Sequence, residues 1–282
     1  MVKKLIIDTD IGDDIDDAYA LAFALNSPEF EIQAILTNNR YEEERAKIAH
    51  KLIKTTNKNI PVFEGVKGGK GGLTQKDFIK YSQFKPRKLE HNINFFKKLF
   101  QNNIYYISLG SLTNVQFLIE TIPEVEEKMR FFIMGGTLKT NYHGKRRIIP
   151  EWNIASDVKS SQKVFRSKAD ITMIGLDCTW NLELSKNNII KIRKSGIPLN
   201  IALNELYTYW KRYHKRNPVL HDPFTLAILI DKSLVEFQNY KISVDDRGRT
   251  VRDSNGKNIK IGVKSHKQRF LKLFMEKILH SK

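Results

Sequence analysis

The sequence has a single cysteine, Cys178, and no long apolar run. One cysteine excludes an intrachain disulfide and is typical of a reducing compartment, and we expect this small side chain to be buried rather than nucleophilic. No stretch approaches the ~20 apolar residues of a membrane span, and the N-terminus lacks the pattern of a targeting signal. We therefore expect a cytoplasmic protein that has no membrane partner.

Acidic residues are the minority, with 31 Asp and Glu against 48 Lys and Arg, for a formal net charge of +17. A basic surface can attract nucleic acid by electrostatics alone. The chain nevertheless lacks zinc-finger spacing, an RNP-type motif and a basic-leucine-zipper pattern. We expect solvated lysines and no specific nucleic-acid partner. A non-catalytic nucleic-acid-binding protein stays open as an alternative.

Apolar runs alternate with segments of helical spacing through the first 175 residues. The runs predict strands at 5–7, 32–36, 104–107, 131–134 and 171–174, and the intervening segments predict helices at 16–25, 42–53, 93–100, 113–121 and 156–166. This alternation is typical of βαβ units, so we predict an α/β fold with a mostly parallel, Rossmann-like central sheet flanked by helices. Ligands in such sheets bind at the carboxyl ends of the strands.

The second half is predicted to be more helical, with helices at 186–195, 199–213, 222–230 and 266–279. Between the last two, the Asn255-Gly256 pair predicts a hairpin within a small late β element. The Gly- and Lys-rich stretch 65–75 is predicted to be a mobile loop, because it lacks the residue order of a phosphate-binding loop. With no linker evident, we predict one domain over residues 1–282.

Six aspartates stand within ten residues, from Asp8 to Asp17. Carboxylates this close raise one another's pKa unless a cation or hydrogen-bond donors hold them. Oxygen ligands without neighbouring His or Cys favour a hard ion, Ca²⁺ or Mg²⁺. Helix geometry explains part of the cluster, since Asp16 and Asp17 would begin a helix whose positive end favours acids.

An Asp-rich loop after a first strand is compatible with two enzyme classes. One is a Mg²⁺-dependent phosphatase of the haloacid dehalogenase type, in which Asp8 would be the nucleophile. The other is carried by the whole series of motifs: DTDIGDDIDDA at 8–18 resembles the signature of the inosine-uridine-preferring nucleoside hydrolases, and ISLGSLTN, MGG, EWNIASD, MIGLDCTWN, HDPFTLA and RGRTV are similar to later stretches of that family, in the same order. The resemblance spans residues 5 to about 270.

The resemblance implies calcium-dependent hydrolysis of the N-glycosidic bond of ribonucleosides, giving ribose and free base. It implies Ca²⁺ ligation by Asp10, Asp17, Asp222 and the carbonyl oxygen of Leu109. It also implies contacts to the ribose, from Asp16, Asn39, Asn141, Glu151, Asn153 and Asp222. Family members form dimers and tetramers, so a homodimer or homotetramer is expected.

The resemblance also assigns the catalytic groups. Asp10 would take a proton from the attacking water, and His221, with an ordinary pKa near 6.5, would give one to the leaving base. Trp180, Tyr207 and Trp210 are candidates for contacting the base, although aromatics at helical spacing are more typical of a core. The nucleobase itself is not predicted.

Two departures from the family pattern affect the aspartate loop. Two extra residues follow Gly12, so the conserved Asp pair could be aligned as Asp13–Asp14 or as Asp16–Asp17. We choose Asp16–Asp17, because DDAYAL carries the Ala and the apolar helix that follow the pair. Ser111 also replaces a proline, which removes a backbone restraint but no carbonyl.

Overall fold

A computed structural model describes residues 2–280 and contains one sheet of ten strands. The strands are β1 (Lys3–Thr9), β2 (Phe30–Thr37), β3 (Val62–Glu64), β4 (Arg87–Lys88), β5 (Ile104–Ser108), β6 (Arg130–Met134), β7 (Asp170–Ile174), β8 (Val235–Val244), β9 (Thr250–Arg252) and β10 (Lys257–Ser265). Their spatial order is β4-β3-β2-β1-β5-β6-β7-β10-β8-β9. All pairs from β4 to β10 along this order are parallel, and only β8 runs antiparallel to its neighbours.

Twelve α-helices accompany these strands in the described part of the chain. They are α1 (Asp16–Leu25), α2 (Glu42–Ile53), α3 (Ile93–Leu99), α4 (Thr113–Thr121), α5 (Val125–Lys128), α6 (Trp152–Ser156), α7 (Val158–Arg166), α8 (Leu176–Thr179), α9 (Lys186–Lys194), α10 (Pro198–Lys211), α11 (His221–Ile230) and α12 (Lys267–Leu279). None of them is both long and apolar enough to cross a bilayer.

Two apolar cores cover the two faces of the sheet. One contains α1, α2 and the helices α9 to α12, and the other contains α3, α4, α5 and α7. Every residue of α1 is buried, as expected for a helix that is apolar on all sides. The strands between the cores are apolar on both faces, which is the pattern of a covered parallel sheet.

The predicted α/β fold is confirmed, and α1, α2 and α4 have their predicted bounds. The helix predicted over 156–166 begins instead at Val158, because Asp157 accepts a hydrogen bond from the Ser160 N–H and caps it there, and Ser156 ends the preceding helix α6. The hairpin predicted at Asn255-Gly256 is wrong. β9 and β10 both pair with β8, which lies between them, and β10 joins the main sheet beside β7.

Parallel pairing places the carboxyl ends of β1, β2, β5, β6 and β7 at one edge of the sheet. The loops that leave this edge carry Asp10, Asn39, Leu109 and the segment before Glu151. The start of α11 brings His221 and Asp222 to the same edge, since α1 and α11 pack together. The fold therefore assembles the polar motifs from both halves of the chain.

Candidate active site

A cavity of about 1060 Å³ opens at this edge of the sheet. Its volume is at the upper end of the range of about 300–1,000 Å³ that is typical of ligand pockets. Its walls contain both carboxylates and aromatic rings. Nine of the residues predicted for the site line it: Asp10, Asp16, Asp17, Leu109, Glu151, Asn153, Trp180, His221 and Asp222. Asn39, Asn141, Tyr207 and Trp210 lie elsewhere, as described below.

Three carboxylates meet in the cavity. Oxygens of Asp16, Asp17 and Asp222 lie within 4.8 Å of one another, and each residue is at most 5% exposed. Burial raises the pKa of all three well above the ordinary value, and repulsion among the neighbouring aspartates raises it further. Buried like charges at this spacing need a counter-ion, and an all-oxygen donor set fits a hard divalent cation. Asp10 lies beside the trio, where burial raises its pKa and Arg45 opposes the rise.

Asn39 lies behind Asp10 and not on the cavity wall. Its Nδ2 donates to Asp10 Oδ2 at 2.8 Å, so this side chain supports a carboxylate instead of facing a ribose. Residues 39–41 have φ between 53° and 64°, the left-handed region that costs about 1–2 kcal/mol for each non-glycine residue. Arg45 offsets this cost, since its guanidinium donates to the carbonyls of Asn39 and Arg40.

Arg45 also holds the aspartate loop. It is fully buried, and its Nη1 donates to the carbonyls of Asp10 and Ile11 while Nη2 donates to that of Gly72. Sequence analysis missed this residue, because a lone arginine in a helical segment carries no local signal. Its burial is explained by the carbonyls that it satisfies.

The extra residues of the aspartate loop lie at the cavity rim. Asp13 accepts a hydrogen bond from the Gly72 N–H at 3.0 Å, and Asp14 pairs with Arg216. The stretch 65–75, predicted as a mobile loop, thus packs on this loop, where Thr74 and Gln75 also donate to the Asp13 carbonyl. The structure places Asp16 and Asp17, not Asp13 and Asp14, at the start of α1 and in the trio with Asp222.

The opposite wall is built around Glu151. Its carboxylate accepts hydrogen bonds from the N–H groups of Gly136, Asn153 and Ile154 and from the Tyr142 hydroxyl. Asn153 Nδ2 donates to the Leu109 carbonyl at 2.7 Å, so the amide fixes the backbone oxygen that was expected to bind metal. That oxygen retains a second lone pair.

The Asn141 side chain is held within its own turn. Its Oδ1 accepts hydrogen bonds from the N–H groups of His143 and Lys145. The side chain was predicted to contact the ribose, but it does not line the cavity. The neighbouring Tyr142 lines the cavity instead. The loop length between Gly136 and Glu151 misled the sequence placement, and only three-dimensional contacts distinguish the two neighbours.

His221 lies half-buried in the wall, with Nδ1 at 2.8 Å from Thr179 Oγ1. Burial lowers its pKa from 6.5 to about 4, and the nearby Asp14 carboxylate opposes the shift. The pKa of this ring therefore lies below the unperturbed value on which its role as a proton donor was argued. The ring is neutral at pH 7.

Of the three aromatics expected near the base, only Trp180 faces the cavity. Trp210 is fully buried, stacked on His214 with ring centroids 4.8 Å apart, and Tyr207 packs against Trp210 at 5.8 Å. Trp210 belongs to the core and the partly buried Tyr207 packs against it, because the apolar spacing of α10 turns that face inward. They are not placed to contact a base.

Asp8, the nucleophile of the phosphatase alternative, is enclosed. It is 0% exposed, and its carboxylate accepts hydrogen bonds from Asn38, Asn114 and the Tyr106 hydroxyl at 2.7–2.9 Å. Burial raises its pKa to about 6. A carboxylate with its lone pairs engaged and no exposure cannot attack a phosphate, so its role is to tie the ends of β1, β2 and β5 together.

Comparison with known sequences identifies a family for the chain. The family described as inosine-uridine preferring nucleoside hydrolase matches residues 5–272. The pyrimidine-specific ribonucleoside hydrolase RihA of Salmonella enteritidis PT4 is 29% identical over 314 residues, covering 99% of each chain. RihA of Enterobacter sp. strain 638 is 27% identical, covering 99% of this chain and 98% of the relative.

Solved structures agree in fold. The plant nucleoside hydrolase PpNRh1 has a TM-score of 0.78 at 25% identity and covers 99% of both chains. An inosine-guanosine nucleoside hydrolase has a TM-score of 0.83 at 19% identity, with 99% of this chain and 100% of that chain covered. With the family matched from residue 5 to residue 272, the chain belongs to the inosine-uridine preferring nucleoside hydrolase family and is a nucleoside hydrolase.

Proposed function

We propose that this enzyme is calcium-dependent and splits ribonucleosides into ribose and free base, with Asp10 and His221 as its catalytic residues. The observation that carries the proposal is the meeting of Asp16, Asp17 and Asp222 in one cavity with Glu151. Buried acids that repel one another are costly unless a cation and a polar ligand compensate them. A calcium ion together with ribose hydroxyls is such a set.

Asp10, Asp17, Asp222 and the Leu109 carbonyl would hold the ion, and Asp16 would accept a hydrogen bond from a ribose hydroxyl. When bound, calcium supplies charge neutralisation and acidifies a coordinated water. Glu151 and Asn153 would hold the far side of the ribose. Backbone N–H groups already fix the Glu151 carboxylate, and the Asn153 amide donates to the Leu109 carbonyl. These contacts orient the anomeric carbon toward Asp10.

The chemical step needs one proton taken and one given. Asp10 accepts a proton from the attacking water as the water oxygen bonds to the anomeric carbon. The electron pair of the glycosidic bond leaves with the base. His221 is neutral before substrate binds. Charge that develops on the departing base favours the imidazolium form, so His221 can hold and deliver the compensating proton within the complex.

Both pyrimidine and purine nucleosides are candidate substrates. RihA relatives are named pyrimidine-specific, whereas one solved relative is named purine-preferring. The cavity is large enough for either ring system. Of the expected aromatic contacts, Trp180 is the one we retain for the base.

Reducing-sugar release from inosine, uridine, adenosine, guanosine and cytidine tests this proposal. We expect release with calcium that disappears with chelator and falls by about 10²–10⁴-fold in Asp10→Ala. Asp170→Asn is the matched control, since Asp170 is an exposed aspartate at the start of β7. Unchanged release with chelator, or an active Asp10→Ala, would contradict the assigned roles.

We further propose a cytoplasmic role in nucleoside salvage and a homodimeric or homotetrameric assembly, as expected from the family resemblance. Light scattering coupled to gel filtration measures the assembly directly. A monomer at micromolar concentration would overturn that part of the proposal.

A further inference from the structure

Thr179 contacts His221 from the side that faces away from the cavity. Thr179 is the last residue of α8 and is fully buried, and its Oγ1 lies 2.8 Å from His221 Nδ1. The same hydroxyl donates to the Gly175 carbonyl at 3.1 Å. This bond to the carbonyl four residues earlier is common for threonine in a helix.

The two contacts together favour one position for the hydrogen on the imidazole. A hydroxyl has one hydrogen, and here Gly175 accepts it, so Thr179 Oγ1 can only accept from His221. The pair of contacts therefore favours a hydrogen on the ring nitrogen at 2.8 Å, which is the Nδ1–H tautomer. Nε2 is left as the nitrogen available to the cavity that His221 lines.

Other contacts anchor the backbone beside His221 and pack against its ring. Leu220 N–H donates to the Leu182 carbonyl at 3.0 Å, which anchors the chain just before α11. The Tyr142 ring meets the imidazole edge-on at 6.1 Å, a contact without a hydrogen bond. The Thr179 hydroxyl is thus the polar group that sets the ring orientation.

We propose that Thr179 is a positioning residue for the leaving-group step: it fixes the Nδ1–H tautomer of His221 and directs Nε2 at the departing base. This inference rests on the proposed function, which supplies the base. In the step, Nε2 of the Nδ1–H ring first takes a proton from solvent, which gives the imidazolium. The C–N bond breaks with its electron pair on the base, and the Nε2 proton passes to that base. The proton that Asp10 takes from the attacking water returns to solvent, so the protons balance. Nδ1 keeps its hydrogen and its bond to Thr179 throughout.

Nitrogen-15 NMR of the full chain labelled at histidine reads the tautomer without any turnover. We expect the His221 signal, assigned by its loss in His221→Gln, to show Nδ1 protonated and Nε2 bare in the wild type and in Thr179→Ser. In Thr179→Val we expect a mixture of tautomers, because valine keeps the shape and removes the acceptor. A wild-type ring protonated at Nε2 alone would overturn the inference.

Kinetics separate positioning from folding. 4-Nitrophenyl riboside releases a stabilised phenolate that needs no proton, whereas a nucleoside releases a base that does. For Thr179→Val we expect kcat on nucleosides to fall about 10–100-fold, as for other partners that orient a catalytic imidazole, while kcat on the nitrophenyl substrate stays within about threefold. Thr179→Ser should restore both activities.

Thr225→Val is the matched control. Thr225 is fully buried on α11, and its hydroxyl has no hydrogen-bond partner within residues 2–280, so the same change there should leave both substrates unaffected. Equal losses on both substrates in Thr179→Val would show a structural role and overturn the inference. A wild type that releases no ribose from any nucleoside would instead overturn the proposed function, and with it the direction assigned to Nε2.

Discussion

The electrostatics of the cavity depend on where single carboxylates find their partners. Asp8 is satisfied by three neutral donors, whereas Asp16, Asp17 and Asp222 mainly face one another. Among the trio, Asp17 accepts a hydrogen bond from Thr9 Oγ1, which orients its carboxylate. The acids least satisfied by the protein are therefore those that a cation can compensate.

Replacing either of the two trio acids assigned to the ion, Asp17 or Asp222, should weaken calcium binding. A unit charge about 4 Å away contributes about 4 kcal/mol at an effective dielectric constant of ~20, so Asp17→Asn and Asp222→Asn should each raise the calcium Kd by at least about 10²-fold. Titration calorimetry measures this, with Asp170→Asn as the control that should bind normally. A normal Kd in both trio variants would place the ion elsewhere.

Arg45 is predicted to be the most stability-critical charge in this region. Arg45→Met leaves the carbonyls of Asn39, Arg40 and Asp10 without their donor inside the protein. Because unsatisfied buried groups cost about 1–3 kcal/mol each, we expect the free energy of unfolding to fall by about 3–5 kcal/mol in urea titrations. Lys47→Met, at a half-buried position of α2 where Lys47 pairs with the exposed Glu43, should change the free energy of unfolding by less than about 1 kcal/mol.

Residues whose role is local could be predicted from the sequence, and those that act across loops could not. Asp16, Asp17 and Asp222 stand in motifs whose spacing determines where they fall on a helix. Arg45 and Thr179 support the site through hydrogen bonds to partners 35 and 42 residues away. The periodicity of the sequence does not predict such long-range hydrogen bonds.

At the level of elements, the loop between β6 and α6 forms a wall of the cavity. The Asp177 carboxylate accepts from the N–H groups of Leu138, Lys139 and Thr140 and anchors the start of this loop. Farther along, Gly144 has φ +73° and lies against the Trp180 ring. The loop is thus held at two points on either side of Tyr142.

Gly144→Ala should disturb this wall. An added Cβ would lie 2.5 Å from the Trp180 ring, so the loop must shift, and we expect KM to rise about tenfold or more with little change in kcat. Gly196→Ala is the control, because Gly196 has φ +70° but nothing within 4 Å of the added atom. Gly196→Ala places a non-glycine residue at positive φ, as Gly144→Ala does, and this costs about 1–2 kcal/mol of stability in both variants. The control should nevertheless leave KM unchanged.

Long elements with a clear apolar period were predictable, and short ones were not. The bounds of α2 and α4 follow from their spacing alone. β3 and β4 have three and two residues, too few for a pattern. β3 forms because β2 offers it an edge, and β3 in turn offers an edge to β4. The aromatic face of α10 was ambiguous in sequence, since a core and a base platform use the same residues.

For the whole molecule, metal and protons compete for the same carboxylates. Burial raises the pKa values of the trio in the folded protein, so the metal-free fold binds more protons than the unfolded chain. The stability that these groups contribute is present below their unfolded pKa of about 3.9 and is lost as pH rises through their folded pKa values. Calcium removes this loss.

The stabilisation by calcium should therefore grow with pH. At about 100 times its Kd, calcium contributes about 2.7 kcal/mol to the free energy of unfolding, and its Kd falls as the carboxylates lose their protons. We expect the difference in Tm between calcium and chelator to be larger at about pH 8 than at about pH 5. A difference that shrinks toward pH 8 would contradict the raised pKa values.

The position of β10 between β7 and β8 has a consequence for biosynthesis. On the ribosome, β7 emerges with one edge open, and its partner β10 follows roughly 80 residues later. At about 5–20 residues per second this interval lasts on the order of 4–16 s, during which an apolar strand edge is uncovered. The nascent chain is thus most exposed to misassembly in the interval before β10 is made, and a chaperone would protect it best during that interval.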